Sequence, residues 1–128
     1  MLSEFTPVAT LPTADLSKAR SFYEGTLGFA EGRVGMGGIA YDCGDGMFFV
    51  YESEYAGTNK ATAMNFNVPM SAFDAEISAL REKGVTFLTF EAEDLDWNDG
   101  VASMGGAMKT VWFSDPDGNI LNVAAGEM

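Results

Sequence analysis

The chain has 128 residues, of which 47 % are hydrophobic, and this length and composition suit one globular domain with a sizeable core. The 19 Asp and Glu residues against 7 Lys and Arg give a net charge of −12, so a nucleic-acid backbone or an anionic lipid surface would repel the protein. With no histidine and one cysteine, Cys43, the sequence excludes an internal disulfide, a zinc site and Ser-His-Asp catalysis.

The first half of the chain predicts one strand, one helix and three further strands. The opening strand spans about 8–11. The helix begins at Asp15, a favourable N-cap, and ends at Gly28, which suits a left-handed C-terminal stop. Between these two residues, apolar side chains recur at helical spacing. Three β-like runs follow at about 29–34, 39–42 and 47–52.

The second half repeats this plan after a short polar connector over 57–62. A strand over 63–68 precedes a helix in which Ser71 and Asp74 form a capping box and Gly84 marks the end. Three β-like runs follow at about 85–90, 108–113 and 120–124. Each half of the sequence therefore predicts the order βαβββ.

Two βαβββ modules predict a single α+β domain over 1–128, with module one at about 1–56 and module two at about 62–128. Each helix would cover one side of a curved mixed sheet, and this arrangement leaves the other side as a concave surface. The topology therefore predicts a cavity enclosed by the sheet.

Membrane insertion and export are not indicated by the sequence. The longest clearly apolar run, 47–51, is too short to cross a bilayer, and the first ten residues have neither the basic nor the apolar region of a signal peptide. We therefore expect a cytoplasmic protein with neither a membrane nor a nucleic acid as partner.

Two segments resemble a known family. The sequence TLPTADL at 10–16, followed by aromatic residues at 22–23 and LGF at 27–29, resembles the opening of the glyoxalase/bleomycin resistance/dioxygenase superfamily, also called the vicinal oxygen chelate superfamily. The sequence VWFSDPDGN at 111–119 resembles its closing hairpin. The resemblance implies the two-module fold. It leaves the activity open, because this fold carries isomerases, dioxygenases, thiol transferases and drug-binding proteins.

The superfamily's enzymes usually hold a divalent metal ion, and the resemblance places the ligand positions on four residues of this chain. They fall on Val8, on Ala63, on Asn122 and at or near Val50. Valine and alanine have no donor atom, and one neutral amide cannot replace two imidazoles and a carboxylate. We therefore expect neither a metal ion nor another cofactor, as in the metal-free bleomycin-resistance branch.

Strand alternation predicts which side chains line the cavity, because residues two apart along a strand share a face. The predicted lining residues are Phe48, Val50, Glu52, Asn65, Asn67, Thr110, Trp112 and Asn122. Trp97 joins them from the acidic segment 91–100, because the corresponding loop of the resembled family lies at the cavity mouth.

Each of these residues also has a structural explanation that requires no ligand. Trp112 and Phe48 could serve as core packing, and Asn65 and Asn67 could lie on a solvated edge. The acids of 91–100 could form an ordinary solvated loop. The sequence alone leaves these alternatives open.

Two hypotheses for function follow. The first is metal-independent binding of a small aromatic, cationic or neutral compound such as an antibiotic, by a chain that the resemblance implies is a homodimer. The second is a metal-free lyase or isomerase that uses the same cavity, with Glu52 or Tyr41 as the proton carrier.

Overall fold

The computed structural model describes residues 1–126. The predicted second module, about 62–128, includes Glu127 and Met128, which lie outside the described residues. A short 3₁₀ helix, Leu2–Glu4, comes first. The remaining elements are β1 (Ala9–Thr13), α1 (Leu16–Arg20, continued as a π-helix over Ser21–Thr26), β2 (Arg33–Gly35), β3 (Gly38–Cys43), β4 (Gly46–Glu52), β5 (Thr62–Val68), α2 (Met70–Glu82), β6 (Asp96–Asn98), β7 (Val101–Met104), β8 (Met108–Ser114) and β9 (Ile120–Gly126).

The strands form two mixed sheets. The first has the order β1-β4-β3-β2, in which β1 and β4 are parallel and the other pairs antiparallel. The second has the order β5-β9-β8-β7-β6, in which β5 and β9 are parallel. Each half of the chain thus builds its own sheet around a parallel pair. This arrangement confirms the predicted α+β fold.

The second half differs from the predicted βαβββ order over residues 85–104, where two short strands, β6 and β7, stand in place of one predicted strand. The run 85–90 is not a strand, because only Leu88 forms an isolated bridge, with Trp112. The acidic segment 91–100, predicted to be a loop, contributes β6, which forms a hairpin with β7. Asp99 and Gly100 close this hairpin with φ angles of 51° and 80°. Positive φ at both central residues is typical of the tight turns that join antiparallel strands.

The helix boundaries agree with the sequence at three of four ends. The Asp15 carboxylate accepts hydrogen bonds from the backbone N–H groups of Ser17 and Lys18, as an N-cap does. Gly28 and Gly84 follow the helices with φ angles of 80° and 83°. The predicted capping box at Ser71 is wrong. Extended backbone at Pro69 leads directly into α2, so the helix begins before that serine, and no side chain of the described residues caps it.

One hydrophobic core joins the two halves. The helices contribute Ala19, Tyr23, Phe73 and Ile77, and these side chains pack with one face of each sheet. Aromatic contacts cross between the halves: the ring centroids of Phe22 and Phe113 lie 6.4 Å apart, and those of Phe29 and Phe66 lie 6.0 Å apart. Strands β1 and β5 also touch. The two modules therefore pair within the chain, with both helices on the same side as the core.

The turn that follows β8 fastens the second half to the first. The Asp117 carboxylate accepts hydrogen bonds from the Thr13 hydroxyl at 2.6 Å and the Ala14 backbone N–H at 2.8 Å. The Asn119 side-chain amide donates to the backbone carbonyl of Pro12 at 2.9 Å. The DPDGN sequence thus has a structural role, because its polar side chains hold the end of β1.

No helix in the part of the chain that the structure describes combines the length and apolar character needed to cross a bilayer.

Candidate functional site

The second sheet gathers most of the predicted site residues on the side opposite the core. Side chains of directly paired residues, and of residues two apart along one strand, lie on the same side of a sheet. The cross-strand register therefore puts six predicted residues on one side, which we call the open face: Asn65, Asn67, Trp97, Thr110, Trp112 and Asn122.

Three aromatic rings contact one another at one end of the open face, and we call them the aromatic cluster. The ring centroid of Phe90 lies 5.3 Å from that of Trp97 and 4.9 Å from that of Trp112, and both contacts are edge-on. The two indole centroids lie 6.0 Å apart. Phe90 is 48 % exposed, and both tryptophans are partly buried. The cluster thus offers aromatic surface to solvent.

Phe90 is the member of this cluster that the sequence reasoning missed. The run 85–90 was predicted to be a strand, and its alternation gave no reason to place Phe90 beside the tryptophans. Instead the backbone N–H of Leu88 donates to the carbonyl of Trp112 at 2.7 Å, which brings the end of this segment against the open face. The sequence offers one indication of this position, which is that Phe90 is an aromatic residue directly before the acidic segment that contains Trp97.

Polar side chains form the middle of the open face. The Asn122 side-chain amide donates hydrogen bonds to the Thr110 hydroxyl and, at 2.9 Å, to the backbone carbonyl of Val111. Thr110 and Asn122 are buried, whereas Asn65 and Asn67 on the neighbouring strand are exposed. The first pair therefore forms a fixed polar floor, and the second pair is accessible to solvent.

Acidic residues border the aromatic cluster. Glu91 and Glu93 line an open depression of about 550 Å³ together with Phe90 and Trp97. The indole nitrogen of Trp97 is buried and has no hydrogen-bond partner among the described residues. A buried donor normally has a partner, so this nitrogen is an unusual feature of the site.

The first sheet corrects part of the predicted lining. Phe48 and Val50 are 1 % and 0 % exposed and belong to the core, where the Phe48 ring lies 5.3 Å from that of Tyr23. Their side chains therefore pack beneath the helices, and the prediction that they face the cavity is wrong. The alternate residues Phe49 and Tyr51 occupy the other side, with centroids 6.3 Å apart and nearly parallel rings.

The two residues considered as proton carriers lie apart from the open face. Glu52 is exposed at the end of β4, in a groove that it shares with Thr13 and Ser53. Tyr41 is buried on the core side, and its hydroxyl donates to Glu24 at 2.8 Å. Burial, followed by the hydrogen bond and negative charge of Glu24, raises the pKa of Tyr41 to about 12.

The residues at the superfamily's metal positions do not fit a metal ion in this chain. Val8 and Ala63 have no donor atom, and Val50 is enclosed in the core. The amide nitrogen of Asn122 is already hydrogen-bonded, which leaves one neutral oxygen. Across residues 1–126, no three Asp, Glu or Cys side chains are grouped closely enough to hold a metal ion.

The fold is similar to that of several solved structures. The structure is similar to a glyoxalase/bleomycin resistance protein/dioxygenase from Alicyclobacillus acidocaldarius, with a TM-score of 0.75, 18 % identity, and coverage of 97 % of this chain and 92 % of the other. It is also similar to the fosfomycin resistance protein FosX from Listeria monocytogenes, with a TM-score of 0.70, 14 % identity, and coverage of 97 % and 94 %.

A third similar structure is the lactoylglutathione lyase from Agrobacterium tumefaciens, with a TM-score of 0.65, 17 % identity, and coverage of 95 % and 93 %. Comparison with curated proteins finds no match. The family model of the Glyoxalase/Bleomycin resistance protein/Dioxygenase superfamily matches residues 6–123. The chain therefore belongs to the glyoxalase/bleomycin resistance protein/dioxygenase superfamily.

Proposed function

We propose that this protein binds a small, partly aromatic molecule, cationic or neutral, on its open face and does so without a metal ion. The observation that carries the proposal is the aromatic cluster of Phe90, Trp97 and Trp112, which lies on the side of the sheet that the helices do not cover. Binding sites for small molecules combine aromatic walls with a few placed polar groups, and the floor of Thr110 and Asn122 supplies such groups.

The charge next to the aromatic cluster favours a cationic ligand. Glu91 and Glu93 border the depression beside Trp97, and the whole chain carries a net charge of −12. A cation over an aromatic face gains about 0.5–2 kcal/mol, and the surrounding negative potential attracts it toward the site. An anionic ligand would meet repulsion from both sources.

The buried indole nitrogen of Trp97 supports a ligand that also has a hydrogen-bond acceptor. Leaving a buried donor unpaired costs about 1–3 kcal/mol. A ligand carbonyl or ether oxygen that reaches this nitrogen through a shift of the side chains covering it would remove that cost. The ligand class that we infer is therefore an aromatic or heteroaromatic amine with at least one neutral oxygen acceptor.

We infer that the biological role of this binding is to sequester an antibiotic. The superfamily's name includes bleomycin resistance proteins, and one similar structure is a fosfomycin resistance protein.

We also infer a homodimer, as the resemblance to this family implies. Sedimentation at micromolar concentration tests the dimer, and a monomer there would contradict it.

A metal-free lyase or isomerase has less support from the geometry. Such an enzyme needs a proton carrier beside the bound substrate. The Tyr41 hydroxyl donates its hydrogen bond to Glu24 on the core side, and Glu52 lies at the end of β4 away from the aromatic cluster. The predicted site residues that do meet on the open face carry amides, a hydroxyl and indole rings, and we assign the neighbouring carboxylates of Glu91 and Glu93 to attraction of a cation.

Intrinsic fluorescence tests the proposal directly, because the only two tryptophans of the chain are Trp97 and Trp112. We expect quenching by micromolar bleomycin, and weaker quenching by an anionic aromatic compound of similar size. Trp97→Leu leaves Trp112 as reporter and should weaken binding about tenfold. Absence of quenching and of a bound species in native mass spectrometry at high micromolar concentration would refute the proposal.

A pair of charge variants with equal net charge tests the role of the acids. The double variant Glu91→Gln and Glu93→Gln should lose affinity for bleomycin but keep its affinity for a neutral aromatic compound. The control double variant Glu31→Gln and Glu82→Gln removes the same charge at exposed positions outside the aromatic cluster.

Elemental analysis of protein purified without chelator tests metal independence, and a stoichiometric divalent metal would contradict it.

A further inference from the structure

A second cavity lies between the two halves of the chain, on the core side of the sheets. It has a volume of about 270 Å³. Phe29 and Cys43 of the first half and Phe66, Leu80 and Phe113 of the second contribute to its walls. Phe66 and Phe113 belong to the core layer, so this inter-half cavity is separate from the open face.

The lining of the inter-half cavity is apolar apart from two groups. Cys43 contributes the only thiol of the chain, and Glu76 on α2 contributes the only charge among the described residues of the lining. Glu76 is exposed, so its carboxylate marks the place where the cavity reaches solvent. The cavity therefore has an apolar interior and a negative rim.

We propose that the inter-half cavity binds a small hydrophobic amine, with its apolar part against the rings of Phe29 and Phe66 that line the cavity and its ammonium group at Glu76. The size suits this class of ligand, because an apolar cavity of about 150 Å³ is enough for benzene. The volume of about 270 Å³ therefore accommodates one aromatic ring with a short alkyl chain. A carboxylate as the single charge of the rim favours a cation over an anion or a neutral molecule.

This site is independent of the proposed function of the open face. None of the residues that line it belongs to the aromatic cluster, and its reporter is a thiol instead of an indole. A failure of one proposal therefore leaves the other intact, and the two readouts tell the failures apart.

Protection of Cys43 from thiol modification tests the proposal in the intact protein. Burial raises the pKa of the Cys43 thiol, so its reaction with methyl methanethiosulfonate, a reagent that modifies thiols and leaves amines unreacted, is followed at mildly alkaline pH. We expect millimolar phenethylammonium to slow the reaction at least threefold. Hydrocinnamate, an anion of the same size, and phenethyl alcohol, its neutral counterpart, should protect less. Equal protection by the three compounds, or none by the cation, would overturn the proposal.

Two variants test the cavity walls. Glu76→Gln should weaken phenethylammonium binding two- to fivefold, as expected for one exposed ion pair, whereas Glu82→Gln on the same helix should not. Leu80→Phe fills part of the cavity and should abolish the protection while thermal unfolding remains cooperative. Full protection in a folded Leu80→Phe protein would contradict the site. Should that variant not fold, the comparison of the three compounds on the unaltered protein still decides the matter.

Discussion

The hydroxyl of Tyr23 donates a hydrogen bond of 2.8 Å to the carboxylate of Asp115 and so links the first helix to the turn after β8. Tyr23 is fully buried, and Asp115 is 5 % exposed. The carboxylate also accepts from the backbone N–H groups of Asp117 and Asn119 and from the Asn119 side chain. A buried charge is tolerated only when it is paired in this way. The superfamily's closing sequence therefore has a structural reason to be present, whatever the protein binds.

Removing the Tyr23 hydroxyl should destabilise the protein without changing its fold. In Tyr23→Phe the buried carboxylate of Asp115 loses one of its donors, which should lower the free energy of unfolding by about 1–3 kcal/mol. Urea denaturation measures the loss. The control Tyr55→Phe makes the same change at a side chain that is 76 % exposed, and a loss as large in the control would contradict the role of the buried bond.

Asn119 should matter more to stability than an asparagine with only local bonds. Its amide donates to the partly buried carbonyl of Pro12 and to the buried carboxylate of Asp115, and Asn119→Ala leaves both acceptors short of a donor. We expect a loss of about 2–4 kcal/mol in the free energy of unfolding. Asn59→Ala is the matched control, because within residues 1–126 the side chain of Asn59 hydrogen-bonds to Ala61, two residues away. Its loss, measured in the same urea titration, should be under about 1 kcal/mol. Equal losses in the two variants would show that the turn does not fasten the halves.

The same turn explains why the fold was predictable from sequence. Its five residues fix the hairpin between β8 and β9, while Asp15 and the two helix-ending glycines fix the helices. Local chemistry decides each of these features, since a cap or a positive φ depends on a few neighbouring residues. Pro69 overrode the predicted capping box at Ser71 for an equally local reason, because helix α2 starts directly after it.

The side of a strand that faces the core could be predicted only where the alternation is clean. In β5, Met64 and Phe66 alternate with Asn65 and Asn67, so the polar set was correctly placed opposite the core. In β4 both sets are apolar, and the sequence contains no signal that distinguishes Phe48 from its neighbour. The helix that packs on one side settles the choice, and that contact is tertiary.

The sequence analysis did not predict strand β6, because the acidic composition of 91–100 was given more weight than the turn signal at the end of that segment. Four acids between 91 and 96 indicate a solvated loop, yet the dipeptide Asp99-Gly100 is a strong hairpin signal. Reading that dipeptide first would have placed Trp97 on a strand. The contact between Trp97 and Phe90 would still have been unpredictable, because Phe90 lies in an irregular segment.

The two neighbouring phenylalanines of β4 should respond differently to truncation. Phe48→Ala opens a cavity in the core and should lower the free energy of unfolding by about 3–5 kcal/mol. Phe49→Ala changes a partly buried ring on the other side of the sheet and should cost under half as much. Urea denaturation of both variants gives the comparison. The reverse order would indicate that Phe48 lines the cavity and that Phe49 belongs to the core.

The acid sensitivity of the protein should depend in part on Glu24. Its carboxylate accepts hydrogen bonds of 2.8 Å from both the Tyr41 hydroxyl and the Arg20 guanidinium. Desolvation raises the pKa of Glu24, but these two donors and the positive charge of Arg20 outweigh it and hold the pKa below the ordinary value. Folding therefore favours the ionised form of this carboxyl group.

A lowered pKa in the folded state contributes stability above the pKa of the unfolded chain, about 4.3 for glutamate, and that contribution is lost as the pH falls further. The Glu24→Gln variant has no carboxyl group at this position, so it lacks this pH-dependent contribution to stability. The melting temperature of the unaltered protein should therefore exceed that of Glu24→Gln at neutral pH, and the gap should narrow below about pH 4.3. Thermal melts between neutral pH and about pH 3 measure this gap, with Glu31→Gln as the control at an exposed residue. A gap that stays constant over this range would mean that ionised Glu24 is not what Tyr41 and Arg20 stabilise.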